Sequence, residues 1–340
     1  METNSSHSLY TSIDAIFSYD MESEVEKITA RIREILRVHL RRRGLVIAIS
    51  GGIDSSVSAA LSVKALGPQK VFGLLLPETD SSSKSLTRGK LLAEHLGIDY
   101  TIEYIAPTLE AIGCYRWRDE AIKKTFPDYG DGWKNKIAIA GGDEGKFNHF
   151  KLIVANTEGS QYEKRLALKE YLQIVAATNF KQRIRKTLEF FHADRLNYAV
   201  VGTPNRMEYD QGFFVKNGDG SADLKPIAHL YKSQVYMLAR YLELPEEICK
   251  ATPTTDTYSL PQGQDEFYYA LPYKEMDIAL WYLNNKKPAS KLAKVLSLTV
   301  QQAEFIYADI ENKRRTTGPL HWPAMVIEPV SGPYLRPEKG

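Results

Sequence analysis

The stretch "LVIAISGGIDSSVSAAL", Leu45 to Leu61, constrains this chain more than any other. An apolar run ends at Ser50, two glycines follow, and a helical pattern starts at Asp54 with no loop between them. A buried strand that passes directly into a helix is half of a crossover unit, and repeated crossovers build a parallel sheet covered on both faces. The following segments keep that rhythm: strand Val71 to Leu76, helix Ser83 to Leu96 with Gly97 as its stop, and strand Tyr100 to Ile105. A helical region from Tyr162 to about His192 then leads to a last strand, Tyr198 to Gly202. Ahead of them, Val25, Ile28, Ile32, Ile35 and Leu36 form a helical stripe in a leading helix over 21–43. The expected fold is α/β, a doubly wound parallel sheet with flanking helices, in one domain over 1–340.

Two segments break the pattern. Residues 126–161 read as an insertion whose apolar runs "KIAIA" and "FKLIVAN" can pair as a hairpin. The tail, 317–340, is rich in Pro and Gly and is expected to be extended, taking order from a neighbour or ligand.

Partner classes follow from charge. Lys plus Arg is 44 against Asp plus Glu 42, so no broad field favours nucleic acid or an anionic membrane, and small-molecule partners are expected. Cys114 and Cys249 are the two cysteines, too few for a disulfide framework or a cysteine-rich metal site. The N-terminus has no basic patch followed by a long apolar core, and the chain is expected to be cytoplasmic.

Chemistry enters at the glycines. A helix start leaves backbone N–H groups without partners and carries partial positive charge, so glycines before it let an anion approach closely. Ser50, Ser55 and Ser56 can add hydroxyl donors. Asp54 would repel a phosphate unless a divalent cation lay between them, which points to Mg2+. A tight turn with Ser or Asp as helix cap is the plainer reading. It gives no reason for the five residue types together.

Ser-Gly-Gly-x-Asp-Ser after the first strand resembles the pyrophosphate loop of the N-type ATP pyrophosphatases, with the adenine nucleotide alpha hydrolase-like fold. That superfamily makes an adenylate while the loop holds the departing pyrophosphate. A second stretch, "VVGTPNRMEYDQGFFVKNGDGSADLKPIAHLYKSQVYMLARYLELP", is similar to the ammonia-dependent NAD synthetases, as are "NFKQRIRK" and "TPTTD". With the opening loop, this resemblance covers about Glu24 to Thr316.

The resemblance implies roles residue by residue. Ser50, Gly51, Gly52, Ile53, Asp54 and Ser55, with Thr203, Lys232 and Thr254, would hold ATP; Asp54 and Lys232 would be catalytic, and Asp54 and Glu208 would bind Mg2+. Asn179, Arg183, Lys216, Asp219, Asp223, Asn312 and Lys313 would serve deamido-NAD. Phe213 and Phe214 offer ring faces or core packing. The implied reaction is ATP-dependent amidation of deamido-NAD by ammonia, in a homodimer. The chain has no room for the amidase domain of glutamine-dependent relatives, so free ammonia is the expected donor, with a separate glutaminase subunit as the other source. Departures fall on the acceptor side: Asn312 stands where the family has His, Val215 where it has Thr, and Lys186 where it has Met. Two other readings stay open here: an adenylating relative with another carboxylate acceptor, and an inactive nucleotide-binding paralogue.

Overall fold

The computed structural model of the chain describes residues 15–140, 149–251, 257–263, 268–269 and 271–328. Helix α1 spans Met21–Glu34, with Asp20 capping its start through the Ser23 N–H, and continues as a π-helical turn over Ile35–Leu40. The alternation follows: β1 Leu45–Ala48, α2 Ile53–Leu66, β2 Val71–Leu75, α3 Ser83–Leu96 and β3 Asp99–Ile102. Helices α4 Ala106–Ala111 and α5 Cys114–Thr125 come next, then β4 Lys134–Ala140, β5 His149–Ala155 and β6 Gln161–Arg165. Helix α6 runs the length of Leu168–Leu196 into β7 Ala199–Val201 and α7 Arg206–Gln211. Helices α8 Lys232–Tyr241, α9 Glu246–Cys249, α10 Tyr273–Asn284, α11 Ala289–Leu296 and α12 Val300–Thr317 complete the order.

The main sheet is parallel, in the order β3-β2-β1-β7. Successive β1 side chains point to opposite faces, so Leu45 and Ile47 join the core under α1, α2 and α8, while Val46 joins the core under α4, α5 and α6. Both faces are therefore dry, which is why these strands read as continuous apolar runs. From β1 the chain winds one way to β2 and β3, then returns to lay β7 on the other side of β1. The carboxyl ends of β1 and β7 thus flank a switch point, the place where open α/β sheets bind ligands.

The insertion pairs as expected, β4 against β5 antiparallel, with Ile137 opposite Leu152. The helical reading from Tyr162 is corrected, because Gln161–Arg165 is a third strand, β6, and the helix starts only at Leu168. All five β6 residues are exposed, so no apolar alternation marked them as strand. The described part of the tail is likewise not simply extended, since residues 318–321 form a 3-10 turn, and 329–340 lie outside the described residues. Helices α10, α11 and α12 share a separate apolar cluster with Phe17 and Met207. Among the described residues, no helix is long and apolar enough to cross a membrane.

Candidate active site

A cavity of about 790 Å³ opens at the switch point. Its floor is the turn from β1 into α2. Gly52 is the N-cap of α2 and no side chain caps that helix, so neither Asp54 nor the serines do capping work. Ser50 and Ser55 bind each other (Oγ to Oγ 3.1 Å), Ser50 Oγ accepts from the Gly52 N–H (3.2 Å), and Ser55 and Ser56 donate to the Gly52 carbonyl. These bonds hold the turn, and its residues from Gly52 to Ser55 line the cavity at an uncapped helix start, a place that favours an anion. Gly51 has φ +74°, and a Cβ on it would lie 2.4 Å from the Ser85 carbonyl of α3. Only glycine allows α3 to pack this closely on the turn.

The charged centre is a buried pair. Lys232, the first residue of α8, is 1 % exposed and its Nζ is ion-paired with Asp54 Oδ2. Burial alone would pull this ammonium down, but the Asp54 and Glu208 charges outweigh it and hold the lysine above its ordinary value. Asn205 Nδ2 donates to the other Asp54 oxygen (3.0 Å). The same Asn205 caps α7 in a capping box: its Oδ1 accepts from the N–H groups of Met207 and Glu208, and Glu208 Oε2 accepts from the Asn205 N–H (3.2 Å). One asparagine thereby fixes both carboxylates. From behind, Asp277 of α10 accepts from the Lys232 (3.2 Å) and Ser233 (2.6 Å) N–H groups and is fully buried. Burial pushes its carboxyl up to about 7, against the hydrogen bonds of Ser233 and Lys232.

A second network fixes the loop after β2. Lys181 donates to Glu78 (3.0 Å), Asp80 (2.5 Å) and the Thr257 carbonyl (3.0 Å), Arg118 bonds Asp80 (2.7 Å), and Tyr115 donates to Glu78 (2.8 Å). The loop so held brings Ser81 and Ser82 to the cavity wall.

The sequence-derived residues fall in four groups. Ser50, Gly52, Ile53, Asp54, Ser55, Thr203, Glu208 and Lys232 line the cavity together, as do Asn179, Arg183, Lys216, Asp219, Asn312 and Lys313. Gly51 stands behind the turn and shapes it. Asp223 is not among the lining residues, and its Oδ2 accepts the Val200 N–H (2.7 Å) at the edge of β7. Thr254 lies outside the described residues.

Several lining groups are already engaged by their own chain. Lys216 Nζ donates to the Pro319 and Trp322 carbonyls of the tail (3.1 Å each), and Asp219 accepts the Val215 N–H (2.7 Å). Lys313 pairs with Asp309 (2.6 Å), and Asn312 accepts from Arg315 (2.7 Å). Lys186 forms a buried pair with Glu189 (2.7 Å). Phe213 stacks on Tyr268 (4.6 Å) and packs on the C-terminal cluster, while Phe214 meets His321 edge to face (4.9 Å). Cys114 is buried; Cys249 is only half-buried.

Sequence reasoning missed Asn205, Asp277, Tyr269 and the Lys181 network. For Asn205 a signal existed in "NRME", Asn and Glu at capping-box spacing. Tyr269 is 1 % exposed and its hydroxyl has no hydrogen-bond partner among the described residues. Burial first, then the Glu208, Tyr268 and Asp54 charges, push that hydroxyl well up.

A family model described as NAD synthase matches residues 24–125 and 149–316. An NH(3)-dependent NAD(+) synthetase of Rhizobium meliloti (strain 1021) is 54% identical over 312 residues, 92% of this chain and 93% of that protein. One of Mesorhizobium japonicum is 52% identical over 307 residues, 90% of this chain and 96% of the relative. Among solved structures, the NH3-dependent NAD synthetase from Campylobacter jejuni, in complex with the nitrate ion, superposes with a TM-score of 0.60 at 24% identity. It covers 91% of this chain and 100% of its own, a likeness of fold.

Proposed function

The chain belongs to the NAD synthase family, and from that premise we propose how its residues divide the work of an ammonia-dependent ligase that spends ATP to convert deamido-NAD to NAD. A nicotinate carboxylate oxygen attacks the α phosphorus of ATP, and pyrophosphate leaves with the electrons of the broken P–O bond. Ammonia then adds to the acyl carbon, AMP leaves with the C–O bonding pair, and the nitrogen loses a proton to give the amide. Two anions must meet in the first step, so placement and charge neutralisation carry the rate.

In this reading the open start of α2, with the Ser50 and Ser55 hydroxyls and Thr203, binds the phosphates, and the Lys232 ammonium faces the charge that develops on the leaving group. Asp54 keeps Lys232 charged and aimed, and Asn205 keeps Asp54 in place. No protein nucleophile is needed, and burial pushes the Cys114 thiol up to about 11, out of use at neutral pH. Asn179, Arg183 and Lys216 stand across the cavity for the dinucleotide.

Asp54 and Glu208 would hold Mg2+, which takes one or two carboxylates and completes its shell with phosphate oxygens and water. The donor set fits: Asp54 and Glu208 are two hard oxygen ligands that line the same cavity, and both are held by Asn205 next to the uncapped start of α2. When bound, the ion supplies neutralisation of phosphate charge. A homodimer is the proposed assembly. It would cover Leu168 and Leu172, one turn apart on α6, and Met325 to Ile327 of the tail, all exposed in a single chain.

The buried Lys232–Asp54 pair at the uncapped helix start carries this reading. Purified protein with ATP, magnesium, ammonium and deamido-NAD should form NAD and AMP in equal amounts. Pyrophosphate release without NAD would assign another acceptor, and no ATP turnover would leave a silent paralogue.

A further inference from the structure

Arg88 has no part in the assignments above. It sits on α3 one turn after Ser85, the residue against which Gly51 packs, and a Cβ on Gly51 would lie 3.1 Å from the Arg88 Cβ. Its side chain lines the cavity beside Ser50, Ser82 and Ser85. The Arg88 Nε is shut off from solvent, and among the described residues it has no hydrogen-bond partner and Arg88 forms no ion pair. Among the described residues, the acidic groups that line the cavity are engaged elsewhere: Asp54 with Lys232 and Asn205, Glu208 with the Asn205 N–H, Glu189 with Lys186, Asp219 with the Val215 N–H, and Asp309 with Lys313.

A guanidinium partly withdrawn from water without an anion is costly, and the cost is recovered when an anion arrives. The surroundings specify which anion. The uncapped start of α2 faces the same cavity, and hydroxyls from two loops and α3 stand around it. An arginine fork matches two oxygens of a phosphate at once.

We propose that Arg88 is a catalytic residue of this enzyme, a second cation that binds the terminal phosphates of ATP and the departing pyrophosphate from the side of α3. The inference rests on the adenylation reading above. As the bond between the α phosphorus and the bridging oxygen breaks, its electron pair stays on the pyrophosphate oxygen. Arg88 donates N–H bonds to that anion and transfers no proton.

The test uses full-length protein and the variants Arg88→Met and Arg88→Lys. Arg88→Met should lower kcat/KM for ATP by about tenfold to a hundredfold, the scale of losing one donor to a developing oxyanion. Inhibition by added pyrophosphate should weaken by about tenfold or more, the KM for ammonium should stay within about twofold, and Arg88→Lys should recover part of the loss. Calorimetric titration with inorganic pyrophosphate and magnesium reads the same contact without turnover. Unchanged pyrophosphate affinity in folded Arg88→Met would overturn the proposal, as would an equal rise in every KM, the mark of a distorted cavity. If Arg88→Met does not fold, Arg88→Gln is titrated under the same criterion. Wild-type protein that binds pyrophosphate yet forms no NAD would sink the adenylation reading alone, leaving the titration to decide Arg88.

Discussion

At the scale of single residues, Asp54 holds the site together because it is at once the counter-ion of a buried lysine and the acceptor of the Asn205 amide that also caps the Glu208 helix. Asp54→Ala should lower NAD formation by at least about a hundredfold, comparable to loss of a key electrostatic contact. Breaking a buried pair strands the other charge at about 3–5 kcal/mol, so Asp54→Asn should also lose stability, and adding Lys232→Met should restore part of it. Denaturant melts of the single and double variants check this; a double variant less stable than either single one would show that the pair is not what is being measured. Asp277 gives a pH signature. Its folded carboxyl, pushed up to about 7, lies above its unfolded value, so the folded state holds the proton more tightly and stability falls as pH rises from the unfolded value through about 7. Asp277→Asn removes that slope. Its melting temperature relative to wild type should therefore rise between pH 5 and pH 8, and a difference independent of pH would refute the assignment. Asp54, Lys232 and Glu208 were legible in the sequence because they belong to motifs with fixed spacing. Asp277 was not, since it reaches Lys232 from 45 residues away through a helix whose apolar pattern says only that it is buried.

At the scale of elements, the turn between β1 and α2 was readable because its glycines have a steric reason. Gly51→Ala forces a side chain into a left-handed backbone and toward the Ser85 carbonyl, so α3 must move off the turn. We expect a loss of about 1–3 kcal/mol in stability from strain of this type and a larger KM for ATP, measured by melts and initial rates. Retention of both would mean that the turn relaxes without cost. Strand β6 escaped notice for the opposite reason. Its residues "QYEKR" are all exposed and are placed by pairing with β5, a long-range choice that local composition does not encode. The neighbouring hairpin was visible because Ile137, Leu152 and Val154 alternate into a shared core with α5 and α6. That sheet also lends Ile139 and Phe150 to the cavity wall, and β4 falls in the stretch that the family model passes over.

For the whole molecule, the four parallel strands were readable from the alternation of apolar runs and helical stripes, because two-sided burial leaves no polar face to confuse the reading, whereas their order in the sheet is set by long-range pairing and was not. What covers the outer apolar residues was not readable, since periodicity within a chain is silent about a second chain. Light scattering at micromolar concentration should give twice the mass of 38.5 kDa, and Leu168→Lys with Leu172→Lys should shift it toward one copy. A monomer in the unmodified protein would remove the dimer from the account. The tail has a consequence of its own. Lys216 already spends its donors on the carbonyls of Pro319 and Trp322, neutral acceptors supplied by the polypeptide itself. Any carboxylate or phosphate that recruits this ammonium exchanges those acceptors for a charged one, and the affinity gained is the difference between the two bargains, never the full worth of the new contact.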